Sequence, residues 1–201
     1  RRWVRRPDRI GNDPFGNPTV RANMHAGRNW DDVTGESGPE DPDFSLVSFQ
    51  SLKGRPIALL GNFSMHYFSG GIKGINADYF GLFNDLLTGE LGHKQPGKPA
   101  FVSLLGHGCS GDIFRRDYTK KEPFNPKIED YAGDLAKMAL SAYLKIKYDR
   151  DATLAMAEAK LPLKFRAPDA QRLEWAKAIV EKLEGLPKAQ PEIYAREQIF
   201  L

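Results

Sequence analysis

Two short apolar runs most constrain how this chain can fold. Pro56–Phe63 and Ala100–Leu105 are nearly continuous apolar segments of strand length, and each runs out into a glycine-rich polar loop. They are too short to cross a bilayer, and their apolar character is typical of strands in the interior of a sheet. Between them, Ala77–Leu91 places apolar side chains at three- and four-residue steps, which predicts a helix. The expected fold class is therefore α/β or α+β, with a mixed β-sheet flanked by helices.

The remaining patterns divide the chain into three parts. Residues 1–43 are rich in Pro, Gly, Asn and Asp, which predicts an irregular, loop-rich segment. Residues 44–120 hold the predicted sheet and the polar turns, and they begin with a hairpin formed by Phe44–Gln50 and Pro56–Met65. We therefore expect the chemistry of the protein to lie in this middle part.

The third part, residues 121–201, predicts helices and a strand. Ile128–Lys147 carries one apolar stripe, and Pro168–Glu184 carries a second helical pattern that opens with proline. Asp151–Arg166 alternates moderately and predicts one long strand or two, while Glu192–Leu201 fits a helix or a strand equally well.

Composition excludes several classes of protein. The 201 residues are 41% hydrophobic and 27% charged, which is typical of a folded domain and not of a disordered one. The single cysteine, Cys109, excludes an internal disulfide and any multi-cysteine metal site. Residues 1–30 hold seven arginines against two aspartates, but the net charge of +3 is too balanced to indicate nucleic acid binding.

His66 is the first candidate for chemistry. It lies where the apolar strand runs out into a glycine-rich loop, which is where sheets present ligands and catalytic groups. An imidazole there can bind a metal through one nitrogen while the other is held by a neighbour. The alternative is an ordinary buried, hydrogen-bonded histidine.

The second candidate is the turn Gly106–Asp112, with the sequence G-H-G-C-S-G-D. Its glycines allow backbone N–H groups to approach a ligand, and Ser110 resembles a nucleophile at a tight turn. Asp112 stands where a nucleophile elbow requires a second glycine, so a purely structural turn is equally compatible. His107 fits a base, a second ligand or an exposed turn residue. Arg115 and Arg116 fit an anion site or, by default, a solvated surface.

The order of these motifs resembles the neutral/alkaline non-lysosomal ceramidase family, in particular the ceramidase-like hydrolases of bacteria. The similarity covers about residues 1–120, and it rests on four segments in this order: D-P-D-F-S-L-V-S-F, I-A-L-L-G-N-F-S-M-H, N-A-D-Y-F-G and F-V-S-L-L-G-H-G-C-S-G-D. The resemblance implies part of a larger ceramidase-like catalytic domain. It also implies hydrolysis of the amide bond in N-acylated sphingoid bases.

The same resemblance implies a zinc ion held by two histidines, a glutamate and a tyrosine. His66 matches one of the histidines, and the other three ligands are expected outside this chain, which begins without methionine or a signal peptide. An arginine beside the family's site matches Arg1 or Arg2. One position departs from the family, because Phe114 stands where the family has a serine that borders the zinc.

The leading hypothesis is a zinc-dependent amide hydrolase that acts through metal-activated water. His66 is the expected metal ligand, and Ser110, Asp112, His107 and Arg1 are the expected catalytic residues. The expected partner is a lipid amide or another small-molecule substrate, with peripheral membrane contact, no nucleic acid, and a secreted or periplasmic location implied by the family. The alternatives are a non-catalytic homologue that binds lipid or glycan, and a serine hydrolase that uses Ser110.

Overall fold

A computed structural model describes residues 2–13, 15–25, 29–68, 74–94, 98–122 and 124–201. Over these residues the protein is 32% helical and 17% strand, in two small sheets and four α-helices, which confirms the expected α/β or α+β class. In chain order the elements are β1 Trp3–Arg5, β2 Ala22–Asn23, β3 Val33–Glu36, β4 Phe44–Gln50, β5 Pro56–Phe63, α1 Asp78–Leu87, β6 Val102–His107, α2 Ile128–Tyr143, α3 Ala170–Val180 and α4 Gln190–Phe200.

The larger sheet is mixed, and its strand order is β4-β5-β6. The predicted hairpin is confirmed, because β4 pairs with β5 antiparallel from Phe44 opposite Phe63 to Gln50 opposite Pro56. β6 pairs with β5 in parallel, and helix α1 with its π-helical extension Thr88–His93 connects the two strands. This connection places the ends of β5 and β6 at the same edge of the sheet.

The core lies between this sheet and the two helices α1 and α2. Tyr79 and Phe83 of α1 are fully buried, and they pack with Leu59, Leu105 and Leu135 from the strands and α2. The opposite face of the sheet exposes Val47, Leu60 and Leu104, which the strand register places in one row. The helices thus cover one face of the sheet and fix the position of β5 and β6.

The segment predicted to be irregular contains a second, smaller sheet. Its strands are antiparallel in the order β2-β1-β3, and Trp3 of β1 is 2% exposed. Trp3 packs with Val33, Tyr118 and Phe114 in a small cluster separate from the main core. The strands are two to four residues long, which is too short for local sequence periodicity to reveal them.

The chain divides into two compact units, one made of Arg1–Arg9 with Arg21–Ala152 and the other of Ile10–Val20 with Thr153–Leu201. In the second unit, α3 packs on α4 and Phe15 lies 5.0 Å from Trp175, ring centre to ring centre. The strand predicted over Asp151–Arg166 is wrong, because that segment has no ladder partner among the described residues and its side chains are exposed. Alternating apolar and polar residues predict an extended backbone, but they do not show that another strand pairs with it.

The helices α1, α2 and α3 lie within the segments that the sequence predicts to be helical. Glu192–Phe200, where the sequence left helix and strand open, belongs to α4. None of the helices in the described residues combines the length and the apolar character that a bilayer span requires.

Candidate functional site

The candidate site forms where β5 and β6 end side by side. The parallel register places Phe63 opposite His107, so that His66, three residues further along the chain, lies at the same sheet edge. The centres of the His66 and His107 rings are 6.4 Å apart. The sequence had singled out both histidines, and the strand pairing brings them together.

The His66 ring has one nitrogen without a partner. Its Nδ1 is buried and makes no hydrogen bond, and the ring packs at 4.3 Å from the ring of Tyr67. A buried polar atom without a partner is energetically costly, so such atoms in proteins commonly mark a bound ion, a water or a catalytic role.

The segment that carries His66 is held by the start of α1. The Asp78 carboxylate accepts hydrogen bonds from the backbone N–H of Phe68, at 3.0 and 3.1 Å, and the Tyr79 hydroxyl donates to the carbonyl of Met65 at 2.9 Å. Burial raises the pKa of Tyr79, which keeps this donor protonated. The Asp78 carboxylate therefore fixes the loop that carries His66. The role of Tyr79 was missed in the sequence, because its spacing indicates only a core position.

His107 forms a pair with Ser110. The Ser110 hydroxyl is hydrogen bonded to His107 Nε2, and Ser110 is 6% exposed. The ring of Phe80 packs edge-on against His107 at 5.2 Å. Two residues three positions apart on one turn therefore form the contact that a serine and its base require, and the fold sets the orientation of the His107 ring through Phe80.

The turn between them requires glycine at position 108. A β-carbon on Gly108 would lie 2.5 Å from Ser64 Oγ, and the Gly108 N–H donates to the carbonyl of Phe63 at 3.1 Å. This hydrogen bond attaches the β6 turn directly to the end of β5. The Gly108 N–H is therefore used to hold the turn against β5.

Two of the expected catalytic residues lie apart from the histidines or outside the described structure. Asp112 forms an exposed ion pair with Arg2, with Arg2 Nε 3.5 Å from Asp112 Oδ2, and makes no described contact with an imidazole. Arg1 lies outside the described residues. Phe114 packs against Trp3, Val33 and Tyr118, so its side chain is part of an apolar cluster.

The donor set for a metal is incomplete in the described residues. No group of three or more His, Cys, Asp or Glu side chains is arranged there to hold a metal ion. His66, through its free Nδ1, fits the role of a single ligand, whereas a catalytic zinc ordinarily takes three protein ligands.

Comparisons with known proteins identify no family for this chain. No family model matches it, and no curated protein or solved structure is significantly similar to it. The assignment of a function therefore rests on the residues of the site.

Proposed function

We propose that this chain carries part of the active site of a zinc-dependent hydrolase that cleaves an amide bond, with His66 as one zinc ligand. The observation that carries the proposal is the buried, unpartnered Nδ1 of His66 at the end of β5, beside His107. The resemblance to ceramidases supplies the bond type, and N-acylated sphingoid bases are the reference substrates. The remaining zinc ligands belong to parts of the protein other than the described residues.

A bound zinc supplies Lewis-acid activation of water and of the substrate carbonyl. The residues of the chain supply position and proton transfer. Asp78 and Tyr79 hold the loop that carries His66, so that its ring stays at the sheet edge. His107, whose Nε2 is hydrogen bonded to Ser110, is the residue that we expect to accept and return a proton during amide cleavage.

A second candidate function rests on the hydrogen bond between Ser110 Oγ and His107 Nε2. In this mechanism His107 takes the hydroxyl proton while Ser110 Oγ attacks the amide carbonyl, and His107 then protonates the leaving amine. A water that gives its proton to His107 next cleaves the acyl-serine ester, and His107 returns that proton to Ser110 Oγ. Among the described residues no carboxylate is hydrogen bonded to His107. The Ser110–His107 pair therefore lacks the third residue that orients the histidine in a catalytic triad. For this reason the zinc enzyme is the preferred proposal.

Three variants separate the candidates. His66→Ala removes the proposed ligand, Ser110→Ala removes the alternative nucleophile, and His93→Ala, at an exposed histidine that ends the π-helix, is the matched control. Zinc content is measured by elemental analysis of the purified protein, and hydrolysis is measured with a short-chain N-acyl sphingosine, with and without a chelator.

The zinc proposal predicts stoichiometric zinc that is lost in His66→Ala and kept in His93→Ala, together with hydrolysis that a chelator abolishes. Loss of hydrolysis in Ser110→Ala alone, without chelator sensitivity, selects the serine mechanism. A folded protein that binds the amide but neither holds zinc nor cleaves it contradicts both and is a binding homologue.

A further inference from the structure

The segment that leads from α2 to α3 is exposed along its whole length. Residues 152–166 make no hydrogen bond with the described part of the chain, through the backbone or through side chains. Its large apolar side chains also have no cover, since Leu163 is 89% and Phe165 is 82% exposed. Unpaired backbone groups beside exposed apolar side chains are what an edge strand presents to another chain. This segment is therefore open to pairing.

The sequence gives this segment two different faces when it is a strand. Alternate side chains of a strand lie on opposite faces. All odd-numbered positions are apolar, namely Ala155, Ala157, Ala159, Leu161, Leu163 and Phe165. The charges all lie at even-numbered positions, namely Glu158, Lys160, Lys164 and Arg166. The segment thus has the pattern of an amphipathic strand whose partner is not found among the described residues of its own chain.

Pro162 restricts which edge of this strand can pair. The N–H and C=O groups of one residue of an antiparallel strand point to the same edge, and successive residues alternate between the two edges. Proline has no N–H, so the edge used by the even-numbered residues lacks a donor at Pro162. The edge used by the odd-numbered residues has all of its donors. One partner strand can therefore pair along the odd-numbered edge, and Pro162 disfavours a further strand on the other.

Charge complementarity of the segment to itself points to a second copy of the chain as the partner. When Ala159 lies opposite Ala159 of the second copy in an antiparallel pair, Glu158 lies opposite Lys160 on both sides of the axis. These even-numbered positions are the non-hydrogen-bonded ones, where side chains on the two strands are closest. The same register places Leu161 opposite Ala157, a large side chain opposite a small one. Centring the pair on Lys160 would place like charges opposite each other, which is unfavourable.

We propose that two copies of this protein associate through residues 153–165, which pair antiparallel about a two-fold axis at Ala159. Such an interface uses the same surface on both copies, and it closes at a dimer. The apolar side chains of the two strands then lie side by side on one face, which removes part of their surface from water. The dimer goes beyond the proposed hydrolase function and does not depend on it, because no residue of the candidate site takes part.

Charge variants test the pairing by sedimentation velocity over a series of protein concentrations. Glu158→Lys and Lys160→Glu each convert both opposite-charge pairs into like-charge pairs, so each is expected to weaken self-association at least about tenfold. An equimolar mixture of the two variants restores opposite charges at both positions, and we expect it to form a heterodimer as readily as the wild type dimerises. Lys164→Glu is the matched control and leaves association unchanged, because Lys164 lies opposite Leu154 in this register.

Hydrogen exchange identifies the edge that pairs. In the dimer, we expect protection of the amides of odd-numbered residues from 153 to 165, whereas the even-numbered amides exchange as they do in the monomer. The charge variants are expected to stay folded, since residues 152–166 make no hydrogen bond with the described part of the chain. Thermal melting by circular dichroism verifies this.

A wild-type protein that stays monomeric at every concentration overturns the proposal, and binding of that monomer to phospholipid vesicles would assign the apolar face to a lipid surface instead. Absence of association in the mixture of Glu158→Lys and Lys160→Glu also overturns it. Loss of association in Lys164→Glu would replace the proposed register by one centred on Leu161, in which Glu158 lies opposite Lys164. Species larger than a dimer contradict the closed pair. None of these outcomes depends on zinc content or hydrolysis, so the dimer and the hydrolase fail separately.

Discussion

Replacing Gly108 by alanine tests whether close backbone approach holds the two halves of the site together. A β-carbon at this position would lie 2.5 Å from Ser64 Oγ and 3.2 Å from both Asn62 Nδ2 and the carbonyl carbon of Phe63. Each of these separations is shorter than ordinary van der Waals contact. The turn must therefore move away from β5, and the 3.1 Å hydrogen bond from Gly108 N–H to the Phe63 carbonyl is weakened.

The expected cost follows from these two effects. Overpacking a closely packed position costs about 1–3 kcal/mol, and losing a backbone hydrogen bond costs about 0.5–1.5 kcal/mol. We expect Gly108→Ala to lower the free energy of unfolding by about 2–4 kcal/mol. Gly111→Ala, in the same turn, is the matched control, because its β-carbon meets no atom within 4 Å; it is expected to be neutral or to stabilise by about 0.4–1 kcal/mol.

A double variant identifies the contact that causes the loss. Ser64→Ala removes the nearest atom, so Gly108→Ala costs less in that background, with a coupling energy of at least about 1 kcal/mol. The assay is urea unfolding followed by far-ultraviolet circular dichroism, with unchanged m-values as the check that the transition is comparable. Equal stability of Gly108→Ala and Gly111→Ala, or a coupling energy of zero, would refute the packing argument.

Three further predictions concern burial. Tyr79→Phe leaves the Met65 carbonyl without its 2.9 Å donor and is expected to lower the free energy of unfolding by about 1–3 kcal/mol in urea titrations, whereas an unchanged midpoint would contradict the role of this bond. Burial raises the pKa of Tyr131 from 10.0 to about 12, so the folded state keeps the proton that the unfolded chain loses. The contribution of the protonated Tyr131 to the free energy of unfolding is complete below about pH 10, and it falls by at most about 1.4 kcal/mol per pH unit up to about pH 12. Tyr131→Phe is expected to reduce this dependence of the free energy of unfolding on pH. An unaltered dependence between about pH 10 and pH 12 would refute the prediction. Phe15→Ala removes the ring contact with Trp175 and is expected to expose the segment around residue 15 to limited proteolysis, which an unchanged cleavage pattern would contradict.

Local sequence pattern predicts the elements that are long enough to be periodic. The apolar stripe of α2 and the spacing of Tyr79 and Phe83 in α1 predict those helices because each exposes one face to a core. The β4-β5 hairpin follows from two strand-like runs joined by a short turn. The small sheet that holds Trp3 escapes such reasoning, because its pairings join short segments far apart in the chain.

The candidate site could likewise be predicted only in part from the sequence. Its sequence marks His66, His107 and Ser110 as polar residues at the ends of apolar strands, and this placement follows from the sequence alone. It gives no indication that Tyr79 holds the His66 loop, since its spacing fits an ordinary core position in a helix. It also does not distinguish Arg115 and Arg116 from solvated surface arginines. Only the fold brings the rings of Phe68, Phe114 and Tyr118 against their guanidinium groups.

The sequence by itself predicted the fold class, the hairpin, the helices and three side chains that can take part in chemistry, those of His66, His107 and Ser110. The tertiary structure alone decided that β6 pairs in parallel with β5, with Phe63 opposite His107, and this register brings the two histidines to one edge. It also decided that Nδ1 of His66 is buried without a hydrogen-bond partner. The physical reason is that periodicity reports which face of a segment is buried, whereas the partner of a strand or of a buried donor is set by contacts between residues distant in the chain.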